Sequence, residues 1–192
     1  MNVMTNTVER LLDLGETAIC SRGYAGFSYG DIAAEAGIRK ASIHHHFPTK
    51  LDFGKAILDR YADNMASRFN AIDSHCRTGA QAMTEVIRVY RDALGTGDRM
   101  CLCVALSADT LLISEEIRQL LDQANRMTAD WLEQVLVRGR RDRSISVGGD
   151  PALEAFSILA QLQGAQLIAR AAADPAMFDK AISSVTARLS RH

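Results

Sequence analysis

Lysine and histidine side chains are concentrated in residues 40–50, which read KASIHHHFPTK. Ammonium groups bind phosphate, and imidazoles exchange hydrogen bonds with phosphates and base edges. Successive helical residues point about 100° apart, so three consecutive histidines are poorly placed to converge on one metal ion. The run is internal and flanked by patterned sequence, unlike a purification tag. Its chemistry therefore indicates contact with a nucleic acid.

The residues before this run predict the supporting elements of a helix-turn-helix. Gly23 is placed to end a first helix, because a residue just past a helix end often needs a positive φ. Ser28 and Asp31, three residues apart, form a capping-box start for a helix over residues 29–36. Gly37 then supplies the turn into a second short helix. In such motifs the second helix enters the DNA major groove.

The second short helix is predicted over residues 40–47. Ile43 and Phe47 are spaced i, i+4 and face the core, which leaves the opposite face exposed. Pro48 ends the helix, and Thr49 with Asp52 forms the cap of the next one. We expect these residues to contact DNA: Ser28, Tyr29, Lys40, Ala41, Ser42, His44, His45, His46 and Lys50.

Two segments, LLDLGETAICSRG and GYAGFSYGDIAAEAGIRKASIHHHFPTK, resemble the N-terminal domain of the TetR/AcrR family of transcriptional regulators. The family usually has aromatic residues, often tyrosine, where this chain has His44 and His45, whereas His46 and Phe47 match. The resemblance implies an all-α fold of about nine helices. It also implies a three-helix helix-turn-helix domain over residues 1–49 and a helical effector-binding and dimerisation domain over residues 50–192.

Composition agrees with a folded globular protein of this size. The chain has 192 residues, of which 47% are hydrophobic and 23% are charged, and broad disorder is excluded at such values. No apolar run approaches the ~20 residues of a membrane span. The first residues lack the basic and apolar regions of a signal peptide, so we expect a cytoplasmic protein without membrane contact.

The net charge of −1 argues against a polycation that coats nucleic acid generally. Within residues 36–55, however, Arg39, Lys40, Lys50 and Lys55 face only Asp52. This local excess predicts salt-sensitive DNA binding with few phosphate contacts per subunit. The three imidazoles predict a DNA affinity that rises as pH falls from about 8 to about 6.

The remainder reads as helices, since no alternating β pattern extends beyond a few residues. Proline follows aspartate at residues 150–151 and 174–175, which marks two helix starts. The predicted helices cover residues 51–76, 79–94, 99–112, 115–121, a following helix that reaches 141, then 151–172 and 175–190.

The last two helices carry largely apolar stripes that serve either an intramolecular core or a subunit interface. Small residues such as Ala160, Gly164, Ala165 and Ala169 permit close helix approach. The family resemblance implies a homodimer through residues 151–172 and 175–190, which fits a palindromic operator of double-stranded DNA. The stripes consist of Leu153, Phe156, Leu159, Gln163 and Gln166 on the first helix, and Phe178, Ile182, Val185 and Leu189 on the second.

The middle helices are expected to hold a small-molecule effector, as the resemblance implies. Effector pockets are largely apolar with a few orienting polar groups. Each candidate is equally compatible with ordinary core. The candidates are Met65, Phe69, Met83, Ile87, Tyr90, Met100, Cys103, Leu106, Met127 and Trp131, with Arg88, Gln123 and Asn125 as polar options.

Cysteine chemistry gives one alternative mode of control. Cys101 and Cys103 are two apart on a predicted helix, so they are a poor disulfide and a poor zinc pair. Cys101 lies beside Arg99 near a predicted helix start, and both features lower a thiol pKa. A redox- or electrophile-sensing repressor is therefore one alternative.

The sequence predicts a homodimeric DNA-binding transcriptional repressor released from its operator by an effector. It contains no HExxH, GxSxG, phosphate-loop or dinucleotide motif, and we expect no enzyme activity, cofactor or metal. A non-catalytic helical adaptor remains the alternative from a different class of protein. That alternative leaves the exposed face from Lys40 to His46 unexplained.

Overall fold

The computed structural model describes the backbone of residues 3–109 and 113–189, with side chains from residue 7 onward. These residues are predominantly helical, and their β-type pairing is one isolated antiparallel bridge between Ile145 and Leu189. The all-α fold predicted from sequence is confirmed. Within the described ranges, no helix combines the length and the apolar character that a membrane crossing requires.

Ten helices lie in the described residues, in place of the nine or so predicted. In chain order they are α1 (Val3–Arg22), α2 (Tyr29–Ala36), α3 (Lys40–His46), α4 (Lys50–His75), α5 (Gly79–Asp92), α6 (Leu102–Ala108), α7 (Glu115–Arg141), α8 (Pro151–Ala171), α9 (Ala176–Ala181) and α10 (Ser183–Thr186).

The chain divides into two compact units. The first unit comprises Met1–Asp63 and Leu102–Gln123, and the second comprises Asn64–Cys101 and Ala124–His192. α1, α2, α3 and α6 therefore belong to the first unit, and α5, α8, α9 and α10 to the second. The domain division between residues 49 and 50 stays a prediction.

Local backbone chemistry shapes the helix-turn-helix as expected. The Ser28 side chain accepts from the Asp31 amide while the Asp31 carboxylate accepts from the Ser28 amide, which completes the capping box of α2. Gly37 ends α2 in the left-handed region at φ 68°, and Gly23 follows α1 at φ 78°. Glycine reaches both conformations without the Cβ clash that other residues incur. The sequence assignments of these three features are confirmed.

The core of the first unit is aromatic and closely packed. Phe53 of α4 meets the rings of Phe27, Tyr29 and Phe47 at centroid distances of 6.1, 5.7 and 4.8 Å. α1 approaches α4 closely at Gly15, where an added Cβ would lie 2.6 Å from the Phe53 ring. The packing fixes α4 against the helices that precede it in sequence.

A single guanidinium also ties α4 to α1 within the first unit. Arg60 lies 3.1 Å from Glu9, 2.7 Å from Asp13 and 3.0 Å from Glu16. Its side chain is 17% exposed, and its pKa is raised because the three carboxylates outweigh the effect of burial. The three acids lie on successive turns of α1, so one cation screens their mutual repulsion.

In the second unit, the start of α5 packs against the end of α7. A Cβ on Gly79 would lie 2.4 Å from the Gly139 backbone. The first amides of α5 are capped from the segment after α7, because Gly79 donates to Asp142 at 2.8 Å and Ala80 donates to the Ser144 hydroxyl at 2.9 Å. These contacts replace the helical hydrogen bonds that the first turn of α5 lacks.

Gln166 of α8 is fully buried, and its side-chain amide makes two hydrogen bonds to backbone groups. Its Nε2 donates to the Tyr90 carbonyl at 2.6 Å, and its Oε1 accepts from the Cys101 amide at 3.0 Å. The sequence left the stripe that contains Gln166 open between core and subunit interface, and Gln166 is a core residue, because both ends of its amide are used inside the second unit. Leu159, from the same stripe, is also buried.

The stripe on the last predicted helix faces inward as well. Phe178, Ile182 and Val185 are at most 3% exposed, so they form core within the second unit. The single helix predicted over 175–190 is interrupted at Ile182, whose φ of −94° and ψ of 7° are not helical. Its last predicted residue lies outside the described residues.

The other helix boundaries differ in two places. Helices predicted over 115–121 and onward to 141 form the single helix α7, since no glycine or proline lies between Leu121 and Gly139. The helix predicted over 99–112 begins only at Leu102, because the Cys101 amide is bound by Gln166. Residues 110–112 of that prediction lie outside the described residues. The remaining helices start and end within two residues of their predicted bounds.

Candidate nucleic-acid interface

α3 is held in the first unit by one apolar edge. Ile43 is fully buried, and Phe47, at the end of the helix, is 8% exposed. The i, i+4 spacing of these two side chains turns the rest of α3 outward. Lys40, Ala41, Ser42, His44 and His45 are exposed, and His46 is half-buried.

Ser28 lies at the N-terminal end of α2 and is exposed. Its hydroxyl donates to the Asp31 carboxylate at 2.8 Å as part of the capping box. The same oxygen accepts from the Asp31 amide at 3.3 Å. The proton of the hydroxyl is therefore already committed within α2, so a phosphate contact would have to displace it.

Tyr29 was predicted to contact DNA, but the structure buries it. The side chain is 6% exposed, and its hydroxyl lies 2.9 Å from the Phe47 carbonyl and 2.6 Å from that of Thr49. Burial is the main cause that raises its pKa to about 12, with Asp52 adding to the effect. The hydroxyl is therefore committed inside the first unit, and contact between Tyr29 and DNA stays a prediction. Tyr29 positions the turn between α3 and α4.

Lys50 is only half-exposed, and its ammonium points inward. Nζ donates to the Phe27 carbonyl at 2.8 Å and lies 4.2 Å from the centre of the Phe27 ring and 4.8 Å from that of Tyr24. Burial lowers the pKa of Lys50, and the charge of Asp109 partly opposes this shift. The phosphate contact predicted for Lys50 must therefore compete with this internal site.

The basic surface is narrower than the sequence suggests. Besides Lys50, Lys55 also has an acidic neighbour: hydrogen bonds at the start of α7 are the main cause that lowers the pKa of Glu116, and the charge of Lys55 adds to it. Hydrogen bonds from Ser28 are the main cause that lowers the pKa of Asp31, and the charge of Arg22 adds to it. Arg39 and Lys40, both exposed at the start of α3, are then the main cationic contribution of residues 36–55 to the outward face.

Sequence reasoning missed one residue that shapes this region. Asp109, just after α6, accepts from the backbone amides of Tyr24 at 2.5 Å and Ala25 at 3.4 Å. A Cβ on Gly23 would lie 2.6 Å from the Asp109 carboxylate. The two partners are 85 residues apart, so no local pattern could have linked them.

Comparison with known proteins places this geometry in a family. A sequence model described as "Bacterial regulatory proteins, tetR family" matches residues 11–57. A TetR-family transcriptional regulator from Agrobacterium tumefaciens has a structure similar to 97% of this chain and 99% of its own, with a TM-score of 0.91 and 26% identity. The chain belongs to the TetR family.

Two proteins that are named as transcriptional repressors are similar in sequence to most of this chain. The "HTH-type transcriptional repressor NemR" of Escherichia coli strain K12 is 29% identical over 86% of this chain and 84% of its own. The "HTH-type transcriptional repressor DhaR" of Mycobacterium sp. strain GP1 is 25% identical over 83% and 80%. The reduced form of E. coli NemR has a similar structure, with a TM-score of 0.82 and 27% identity over 96% and 97%.

TetR-family membership confirms the resemblance found in the sequence. Members of this family are transcriptional regulators that bind DNA operators and dimerise, so this chain is a DNA-binding transcriptional regulator. The N-terminal helix-turn-helix and the C-terminal helical region both agree with solved TetR-family structures. The adaptor alternative gains no support from these similarities.

The effector residues predicted for this TetR-family chain are split between the two units. Cys103, Leu106 and the polar option Gln123 lie in the first unit, and the others lie in the second. Ile87 and Met127 are half-buried. The remaining predicted residues, namely Met65, Phe69, Met83, Tyr90, Met100, Cys103, Leu106 and Trp131, are buried.

An aromatic pair closes part of the second unit's interior. The Phe69 and Trp131 rings stack with centroids 4.4 Å apart and planes 10° apart. The Trp131 Nε1 donates to Asp73 at 2.8 Å, and Arg138 lies 3.1 Å from the other oxygen of the same carboxylate. A buried aromatic pair thus adjoins a charged pair. The assignment of the effector residues stays a prediction.

A separate cleft of about 510 Å³ lies in the second unit where α4 ends and α5 begins. Its lining includes Cys76, whose thiol pKa is raised by burial first and by Glu85 second. A raised pKa leaves little reactive thiolate at neutral pH. The cleft shares none of the predicted effector residues, since its lining is Ala71, Ile72, His75, Cys76, Gln81 and Glu85.

Proposed function

We propose that this TetR-family regulator is a homodimeric, non-catalytic transcriptional repressor that acts in the cytoplasm. It binds a palindromic operator through α3 of each subunit and leaves the operator when a small-molecule effector binds. The observation that carries DNA binding is the division of α3 into a buried edge, Ile43 with Phe47, and an exposed face with Lys40, His44 and His45. An exposed face of cations and imidazoles suits phosphates and base edges.

Repression, rather than activation, is supported by the relatives that span most of this chain. NemR and DhaR are named transcriptional repressors. The activator FasR of Mycolicibacterium smegmatis is 34% identical, but over only 30% of this chain. We therefore assign repression, which predicts that deleting the gene raises transcription from its target promoter.

An exposed apolar face on α8 supports dimerisation. Leu153 is 69% exposed, Phe156 is 52% exposed and Ile168 is 50% exposed. Large apolar side chains at such exposure, grouped on one helix, are typical of interaction sites. Gly164 on the same helix has no atom within 4 Å of an added Cβ, which leaves room for a second helix. A second copy of the chain is the proposed occupant.

The dimer sets the form of the operator. A two-fold axis relates the two α3 helices, so each half-site is the inverted repeat of the other. Half-sites centred about one helical turn apart, ~34–36 Å, or a multiple of that spacing, place both helices in major grooves on one side of the duplex.

The effector is proposed to enter the interior of the second unit beside Phe69 and Trp131. The stacked rings offer an apolar contact to a ligand, and Asp73 and Arg138 beside them offer polar groups. An effector changes DNA affinity only if it binds the DNA-free form better. Trp131 is the only tryptophan in the chain, so its fluorescence reports binding. Saturating effector should alter Trp131 emission and weaken operator binding together.

Control by a cysteine is a second candidate, favoured by one observation. Cys101 is buried directly before α6, and its amide is tied to Gln166 of α8. An electrophile that bonds to its sulfur, with loss of the thiol proton, would displace that hydrogen bond. The test is whether an electrophile releases each variant from operator DNA. If it still releases Cys101→Ser but no longer releases Cys76→Ser, control through Cys101 is excluded.

The direct test of the proposed function is fluorescence anisotropy with DNA from upstream of this protein's own gene. The wild-type chain should bind one fragment at least tenfold more tightly than a scrambled duplex, with two chains per palindrome. Affinity should fall steeply with salt, because phosphate contacts release counterions. Equal affinity for every fragment, from a folded dimer, would contradict the proposal.

A further inference from the structure

His44 is exposed on α3, yet one of its ring nitrogens is already engaged. Its Nδ1 lies 3.2 Å from the Pro48 carbonyl oxygen. A carbonyl oxygen can only accept, so Nδ1 must carry the hydrogen. In the neutral imidazole the other nitrogen, Nε2, then has a lone pair and no proton.

The His44 ring is held from a second side by α2. The Tyr29 ring meets it edge-on, with centroids 4.8 Å apart and planes 63° apart. Tyr29 is itself fixed, because its hydroxyl lies at the carbonyls of Phe47 and Thr49. Pro48 restricts the backbone that presents the accepting carbonyl. The orientation of the imidazole and its tautomer are therefore set by the same turn.

A fixed acceptor on the outward face of α3 has few partners on DNA. Phosphate oxygens only accept, so the neutral His44 Nε2 cannot bond to them. In the major groove, donors are the N6 amino group of adenine and the N4 amino group of cytosine. A tyrosine hydroxyl, frequent here in the family, both donates and accepts and would not discriminate in this way.

We propose that His44 is a specificity-determining residue whose Nε2 accepts a hydrogen bond from the exocyclic amino group of adenine or cytosine in each operator half-site. This assignment rests on the proposed function, since it requires that α3 enters the major groove. It differs from the phosphate contact that the basic residues around His44 suggest. Lys40, one turn earlier on α3, has only donors and retains that phosphate role.

The test uses the upstream fragment that the wild-type protein prefers, at pH 8, where imidazoles are mainly neutral. Each half-site position is replaced in both half-sites by the other three bases, and Kd is measured by anisotropy. At one position adenine or cytosine should be favoured about tenfold over guanine and thymine, as a direct base contact allows. The variant His44→Phe keeps an aromatic ring beside Tyr29 and should reduce this preference to within about twofold.

A second measurement removes only the donor on the DNA. Purine in place of adenine, or 2-pyrimidinone in place of cytosine, lacks the exocyclic amino group. The replacement should weaken wild-type binding about tenfold and leave His44→Phe unchanged. His44→Gln, whose amide oxygen also accepts, should retain part of the preference, and circular dichroism checks that both variants are folded.

Three results would overturn the assignment, in distinguishable ways. If His44→Phe weakens binding equally for every duplex, the side chain contacts phosphate. If the amino-group deletions affect wild-type and His44→Phe alike, another residue reads that base. Either outcome leaves the regulator function intact. Wild-type protein that prefers no upstream fragment would contradict the proposed function and this inference with it.

Discussion

The two units of this regulator expose helix faces of opposite chemistry. In the first unit, α3 presents Lys40, His44 and His45 to solvent. In the second unit, α8 presents Leu153 and Phe156. Both helices have a buried edge, so they differ in the side chains that they expose to solvent. A polar, cationic face suits a polyanion, and an apolar face suits another copy of the chain.

The units also differ in how they hold those faces in place. In the first unit, side chains bind backbone groups of loops, as Lys50 does with Phe27 and Asp109 with Tyr24. The second unit relies on close backbone packing at Gly79 and on the buried amide of Gln166. We therefore expect each unit to be sensitive at its own contacts, the first at Lys50 and Asp109 and the second at Gly79 and Gln166.

The largest expected effect concerns the apolar face of α8. The double variant Leu153→Asp with Phe156→Asp should raise the dimer dissociation constant by about 100-fold or more, because two charges replace the proposed contacts. Sedimentation equilibrium measures this directly. Ser67→Asp, an exposed site on α4 outside both proposed interface segments, is the matched control and should stay dimeric. A double variant that remains a wild-type dimer would remove α8 from the interface.

Loss of the Arg60 cluster is expected to be next in size. Arg60→Met leaves Glu9, Asp13 and Glu16 facing one another without a cation, and should lower the free energy of unfolding by about 2 kcal/mol at low salt. Urea denaturation at two salt concentrations checks the size and its screening. Arg88→Met breaks an exposed pair with Glu85 and should cost less than about 0.5 kcal/mol. Equal losses would mean that the cluster of three carboxylates around Arg60 stabilises the fold no more than an exposed ion pair does.

Gly23 tests the contact between the loop after α1 and Asp109. Gly23→Ala should lower the free energy of unfolding by about 1.5 kcal/mol, because φ is 78° and the new Cβ meets the carboxylate. Gly30→Ala, in α2 with the nearest atom at 3.4 Å, should be neutral or stabilising. If both variants unfold alike, neither the positive φ nor the close approach matters.

The smallest effect concerns pH in the second unit. Hydrogen bonds from Ser144 and Gly79 lower the pKa of Asp142 against the opposing effect of burial. A lowered folded-state pKa gives stability that is present above the unfolded value of ~3.9 and lost as pH falls through the folded value. Asp142→Asn should cost about 1 kcal/mol at pH 7, and this difference should shrink below about pH 4. A constant difference would exclude the charge as its cause.

The helix-turn-helix could be predicted from sequence because its determinants are close together in the chain. The capping box of Ser28 and Asp31, the turn at Gly37 and the i, i+4 pair of Ile43 and Phe47 span 20 residues or so. The burial of Tyr29 could not be predicted from sequence, because it depends on tertiary contacts. Its aromatic ring fits either a surface or a core, and only the carbonyls near Pro48 decide between them.

The C-terminal half was harder to predict, because the helical spacing of its stripes does not show which element each stripe packs against. Gln166 and Phe178 lie on regular helical spacings, and both are buried within the second unit. The Cys101 amide interrupts a predicted helix only because Gln166 binds it from 65 residues away. Long-range partners of this kind leave no trace in the local sequence.

The measurement that tests the central claim most directly is the operator affinity of Lys40→Ala beside that of Lys180→Ala. Both lysines are exposed, but only Lys40 lies on α3. Lys40→Ala should weaken operator binding by about tenfold and reduce its salt dependence, whereas Lys180→Ala should bind within about twofold of wild type. Equal affinities for the two variants would contradict the claim that the exposed face of α3 binds DNA.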